Sequence, residues 1–126
     1  MPTDVPTAPL VPLPASILSQ GPNLIVSIHA ALDDEQLERL QRDLLERVGR
    51  DRSRGILIDV AALDVLDSFA ARTLADLAYM AQLRGARTVV VGIAPDVAMS
   101  LVRLGVRLPL TQTALDLEEG LEWLGT

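Results

Sequence analysis

The chain has 126 residues, 49% of them hydrophobic, a length and apolar content that suit one domain built around a single core. Its 17 acidic residues outnumber 11 basic ones for a formal charge of −6, and no basic and aromatic cluster is present to track a phosphate backbone, which argues against nucleic acid as a partner. The absence of cysteine and the single histidine, His29, exclude a disulfide, a thiolate or histidine-cluster metal site and a cysteine nucleophile, and no cofactor motif stands out.

Residues 1–14 carry Pro2, Pro6, Pro9, Pro12 and Pro14, a spacing that removes backbone donors and favours extended chain. They read as a flexible tail, and 15–126 as a single domain. The tail lacks the basic start and apolar run of a signal peptide, and nowhere do about 18 apolar residues follow one another, so a cytoplasmic protein is expected.

From Ala15 onward, Ile17 and Leu18 precede Gly21-Pro22-Asn23 and then Leu24-Ile25-Val26-Ser27-Ile28, the pattern of a β-hairpin. Asp33 and Asp34 are placed to cap a helix in which Leu37, Leu40, Leu44, Leu45 and Val48 recur every three or four residues. After Gly55, the run Ile56-Leu57-Ile58-Asp59-Val60 has the apolar, β-branched content of a strand buried on both faces. A second helix opens at Asp67 or Ser68 and runs to about Leu83, closed by Gly85. Thr88-Val89-Val90-Val91-Gly92 supplies the next strand, and Pro95 opens a third helix that ends near Leu104, before Gly105. A short segment near Leu110 to Thr113 leads into a last helix around Leu115 to Leu124. The order β-β-α-β-α-β-α-β-α predicts an α/β fold: a mixed sheet of four or five strands with an N-terminal hairpin, parallel pairing elsewhere, and about four helices.

The most informative stretch runs from Ile58 to Leu74, a buried strand followed by an acidic turn and a helix that begins at a serine. Asp67 or Ser68 takes the N-cap or first position of that helix, where backbone N–H groups lack partners and the dipole favours negative charge. A phosphate on Ser68 would be well hosted there. Serine and aspartate are also ordinary capping residues, so position alone does not separate a modification site from a structural cap. Two further features bear on the choice. The helix after Ser68 is apolar almost all round, with Arg72, Asp76 and Gln82 its only strongly polar members, more than one buried stripe requires. The turn Leu63-Asp64-Val65-Leu66-Asp67 alternates acidic and apolar residues, which suits recognition by a partner. Asp64, Leu66, Asp67, Phe69 and Arg72 are accordingly the candidate partner-binding residues around Ser68; the competing reading is that the leucines plug the end of the sheet.

The element order and the Asp67-Ser68 motif at the start of the second helix resemble the STAS domain, the fold of anti-sigma factor antagonists. The segment from Val65 to Arg72, with Gly85-Ala86 and Val91-Gly92-Ile93-Ala94-Pro95, is similar to the RsbS-type scaffold branch of that family, over about Ile17 to Leu124. The resemblance implies a non-enzymatic scaffold of a bacterial stressosome that assembles with RsbR-type STAS paralogues and sequesters a serine kinase of the RsbT type. It implies that the kinase phosphorylates Ser68 and is then released, in a stress response. Sensor paralogues carry a sensory domain ahead of their STAS domain, where this chain has only a short tail. The simpler antagonists usually continue their motif with Ser-Gly where Phe69-Ala70 stand here, which counts against direct capture of an anti-sigma factor kinase.

A small nucleotide-binding α/β protein is the alternative from another class. Gly92 to Pro95 follows a strand, yet has neither of the usual phosphate-loop spacings. A receiver-like role for the strand-end Asp59 would need an acidic pair after the first strand and a late lysine, and the chain contains no lysine. His29 is assigned no role, Trp123 is expected to anchor the last helix, and Thr73 and Thr88 are candidates for a second phosphorylation site.

Overall fold

The computed structural model describes residues 14–109 and 111–125. Its elements are β1 (Ala15–Gln20), β2 (Asn23–Ile28), α1 (Asp34–Asp51), β3 (Gly55–Asp59), α2 (Ser68–Leu83), β4 (Arg87–Val91), α3 (Pro95–Arg103), β5 (Thr111–Ala114) and α4 (Leu117–Leu124). The expected tail lies outside the described residues except for Pro14, whose carbonyl accepts from His29 N at 2.7 Å and so belongs to the hairpin. Among the described residues no helix is long and apolar enough to cross a membrane.

The five strands lie in sequence order, β1-β2-β3-β4-β5, with β1 antiparallel to β2 and every other pair parallel. This is the mixed sheet expected from the pattern. Side chains alternate across it. Leu24, Val26, Ile56, Ile58 and Val90 point to one face, where they meet Leu40 and Leu44 of α1, Leu74 and Leu77 of α2, and Val97 and Leu101 of α3. Ile25, Leu57, Val89 and Val91 point to the other, where they meet Leu124 of α4. The sheet's centre is therefore dry on both sides, which explains why β3 and β4 read as continuous apolar runs.

Local chemistry sets the helix boundaries. Asp33 caps α1 through a reciprocal box: its carboxylate accepts from Gln36 N at 2.8 Å and its own N–H donates to Gln36 Oε1 at 2.9 Å. The last helix begins at Leu117, two residues later than expected, because Asp116 takes the N-cap and accepts from Glu119 N at 2.9 Å. The last strand is Thr111–Ala114; Leu110, where it was expected to begin, lies outside the described residues.

Trp123 does not anchor α4. It is 37% exposed, and its ring carries the Arg87 guanidinium 4.4 Å from the centroid while Arg87 donates to the Leu124 carbonyl at 3.0 Å. The anchors are Leu124 and Gly120. A Cβ at Gly120 would lie 2.7 Å from Val91 Cγ1 and 2.9 Å from Leu57 Cδ1, so the missing side chain is what lets α4 settle on the sheet. Replacing Gly120→Val overpacks this contact and is expected to lower unfolding stability by about 1–3 kcal/mol in urea titrations. An unchanged midpoint would show that α4 does not press on the sheet there.

Candidate functional site

The site grows from the end of β3. Asp59 closes the strand by turning its carboxylate onto the chain that follows, accepting from Ala61 N at 2.9 Å, which gives it a structural task in place of a phospho-acceptor one. Val60 N donates to Val91 O at 3.0 Å and Leu63 N to Val60 O at 3.0 Å, so the turn is tied to β4 and to itself. Gly92, with φ +80°, faces the same turn, and a Cβ on it would come within 2.9 Å of Ala61 Cβ. The segment expected at most to cradle a phosphate is thus filled by the neighbouring loop.

Leu63 and Leu66 are each 5% exposed and pack into the main core. This corrects the assignment of Leu66 to the partner-binding surface: it plugs the gap between α2 and the loop that leads into α1, beside Ile28, Leu32 and Leu74. Val65, between the two leucines, is 67% exposed and is the apolar residue the turn presents to solvent. The sequence alternation did not show which of the three faced outward.

Asp67 is the N-cap of α2. Its backbone is extended, its carboxylate accepts from Ala70 N at 2.8 Å, and its carbonyl accepts from Ala71 N at 2.9 Å. Ser68 is therefore the first helical residue, half-buried, and its hydroxyl makes no hydrogen bond to a described residue. Asp64, Asp67 and Arg72 are exposed around it, and Phe69 is half-buried against the core. Outside the reach of Asp64, which is not in its lining, Ser68, Arg72, Ala75 and Asp76 of α2 form one wall of a groove of about 570 Å³, with the segment Leu104, Gly105, Val106, Arg107 and Pro109 as the other. Sequence reasoning missed this second wall because it lies more than 30 residues beyond Ser68 and Arg72 in the chain.

The threonines considered as further phosphorylation sites are both inaccessible. Thr73 is 8% exposed and its hydroxyl donates back to Phe69 O at 2.8 Å, while Thr88 is 2% exposed inside β4. His29 is exposed, with Nε2 3.3 Å from Ser16 Oγ in the hairpin. Among the described residues no group of acidic or histidine side chains is arranged to hold a metal ion.

A five-stranded mixed sheet opened by a hairpin, with an Asp-Ser pair at the start of the helix after its central strand, is the arrangement of a STAS domain. Residues 15–119 match the STAS domain family, and the chain belongs to it. It is similar to a serine-to-glutamate variant of RsbS from Moorella thermoacetica, with 34% identity and a TM-score of 0.76, over 87% of this chain and 93% of that one. A chain from a structure of the stressosome, described as a signal integration and transduction hub, is 31% identical with a TM-score of 0.69, over 86% of this chain and 95% of that one. RsbRA of Bacillus subtilis, an RsbT co-antagonist protein, is 28% identical over 116 residues, which are 92% of this chain and 40% of that protein's length.

The geometry separates the turn's residues by what their loss does. Leu66→Ala is expected to cost about 2–5 kcal/mol as a core truncation, and Asp67→Ala about 1 kcal/mol as a lost cap. Val65→Ala should stay within about 0.5 kcal/mol. Denaturant titration of the three variants checks the order, and a Val65 variant as unstable as the Leu66 variant would contradict it.

Proposed function

We propose that this protein is a non-catalytic, phospho-switchable scaffold of a stressosome-type complex in the cytoplasm, which holds a serine kinase of the RsbT type until Ser68 is phosphorylated. The observation that carries the reading is Ser68 itself: the first residue of α2, half-buried, its hydroxyl without a partner among the described residues, beside exposed Asp64, Asp67 and Val65. A kinase surface can cover this patch while Ser68 is uncharged. Transfer of the γ-phosphoryl group of ATP to Ser68 Oγ, with the hydroxyl proton passing to the kinase and ADP leaving, places about −1.5 to −2 charges beside two carboxylates. A surface fitted to the neutral hydroxyl then meets repulsion and desolvation at once, and the kinase leaves.

Similarity to RsbS and to a stressosome chain supports this role over that of a simple antagonist, and the RsbRA relative supports assembly with RsbR-type STAS domains. Replacing a serine of the RsbS relative with glutamate brings negative charge to a serine position, the same physical change as the switch proposed here. The scaffold itself is asked only for shape and charge, since the chemistry belongs to the kinase.

Ser68→Asp, which retains a residue suited to a helix start, is expected to fold normally and to bind the kinase at least about tenfold more weakly, roughly 1.4 kcal/mol. Ser68→Ala should bind as the natural protein does and fail to release kinase when ATP is added. Calorimetric titration of the RsbT-type kinase from the same organism against the three forms decides it; equal affinities would overturn the proposal.

A further inference from the structure

The reading of Ser68 as a switch leaves unanswered where its phosphate would go. One of the N–H groups at the start of the helix, the usual host, is already engaged: Asp67 accepts from Ala70 N at 2.8 Å. That carboxylate and exposed Asp64 would repel a second anion. The groove beside Ser68 has the opposite character. Arg72 follows Ser68 by one helical turn, so the two side chains share a face with their Cβ atoms about 5–6 Å apart. Arg107 reaches the same groove from the wall after α3. Neither arginine makes a hydrogen bond or ion pair with a described residue, in a chain where Arg47 and Arg50 do pair, with Asp51. Asp76, one turn beyond Arg72, is the only carboxylate in the groove lining, and it stands at the far end from Ser68.

We propose that Arg72 and Arg107 form a clamp for the phosphate on Ser68, fixing it at the mouth of the groove between α2 and residues 104–109, at the edge of the partner-facing patch. The inference rests on Ser68 being the modified serine. The guanidinium groups offer paired N–H donors that match phosphate oxygens. Arg72, first read as a residue that touches the partner, becomes a ligand of the protein's own modification. Because the second wall comes from the segment that leads into β5, phosphorylation would also fix that segment against α2. The change at Ser68 is thereby carried to a surface beyond the turn.

The test needs no kinase. Protein carrying phosphoserine at Ser68, made by genetic encoding, is titrated with ³¹P NMR detection. Two cations held beside the dianion should lower the second phosphate pKa by about one unit below its value of about 6 in an unstructured peptide. Arg72→Gln and Arg107→Gln should each bring it partway back, and Arg103→Gln, on α3 outside the groove lining, should leave it unchanged. A value at or above that of the peptide is what Asp64 and Asp67 acting alone would produce, and it would overturn the clamp. A depressed value that responds to Arg72→Gln alone would overturn the assignment of Arg107. Adding the same phosphoprotein to the kinase titration tests the switch separately: an intact clamp with undiminished kinase binding would defeat the proposed function and leave the clamp standing.

Discussion

The strand Gly55–Asp59 is hydrogen-bonded to a parallel neighbour on each side and buried on both faces, and the site depends on that immobility. A strand with no solvent face cannot shift register without turning Ile56 and Ile58 out of one core and Leu57 out of the other. Its end is therefore a fixed point. From there the turn is held by the Asp59 carboxylate, by Leu63 and Leu66 in the core, and by the Asp67 cap, and Ser68 emerges at a defined place and orientation. A switch that works by adding charge needs such a mount, because repulsion is felt fully only by a group that cannot swing away.

The frame was legible where one local force decides the outcome. Aspartates before apolar periodicity marked the helix starts, and two of them, Asp33 and Asp67, are the caps found. Runs of Ile, Leu and Val marked the buried strands. Legibility failed where the outcome depends on partners far apart in the chain. The alternation in Leu63-Asp64-Val65-Leu66-Asp67 does not fix which apolar residue faces solvent; the space between α2 and the loop before α1 decides it. Trp123 looked like an anchor for its size, yet the close approach of α4 is granted by Gly120, the smallest residue of the helix, and the indole stays outside to meet Arg87. The apolar excess of α2 has a similar origin. Ala71, Leu74, Ala78 and Ala81 are buried, since this helix packs on the sheet and on α1 together, while Tyr79 and Leu83 remain exposed.

Charge is sorted along the strand direction. Asp33, Asp67 and Asp116 cap α1, α2 and α4 at the carboxyl ends of the parallel strands, each where the helix dipole favours an anion. Arg50 and Arg103 close α1 and α3 toward the opposite end, and Arg52, Arg54 and Arg84 line a groove there. The sorting begins as helix chemistry and ends as a property of the whole domain: Ser68 sits near the acidic pole, and Arg72 and Arg107 in the adjoining groove are exceptions to it.

The sequential strand order also has a meaning for the chain as it is being made. Each new strand from β2 to β5 adds to the edge of the one before it, and the helices between them cover one face as they appear. The opposite face gains its cover from α4, the last of the described elements to leave the ribosome. Without that helix Ile25, Leu57, Val89 and Val91 would form an open apolar stripe on the sheet. A chain cut before α4 would therefore keep its front packed and its back bare, an apolar face of the kind that makes incompletely folded species stick to one another.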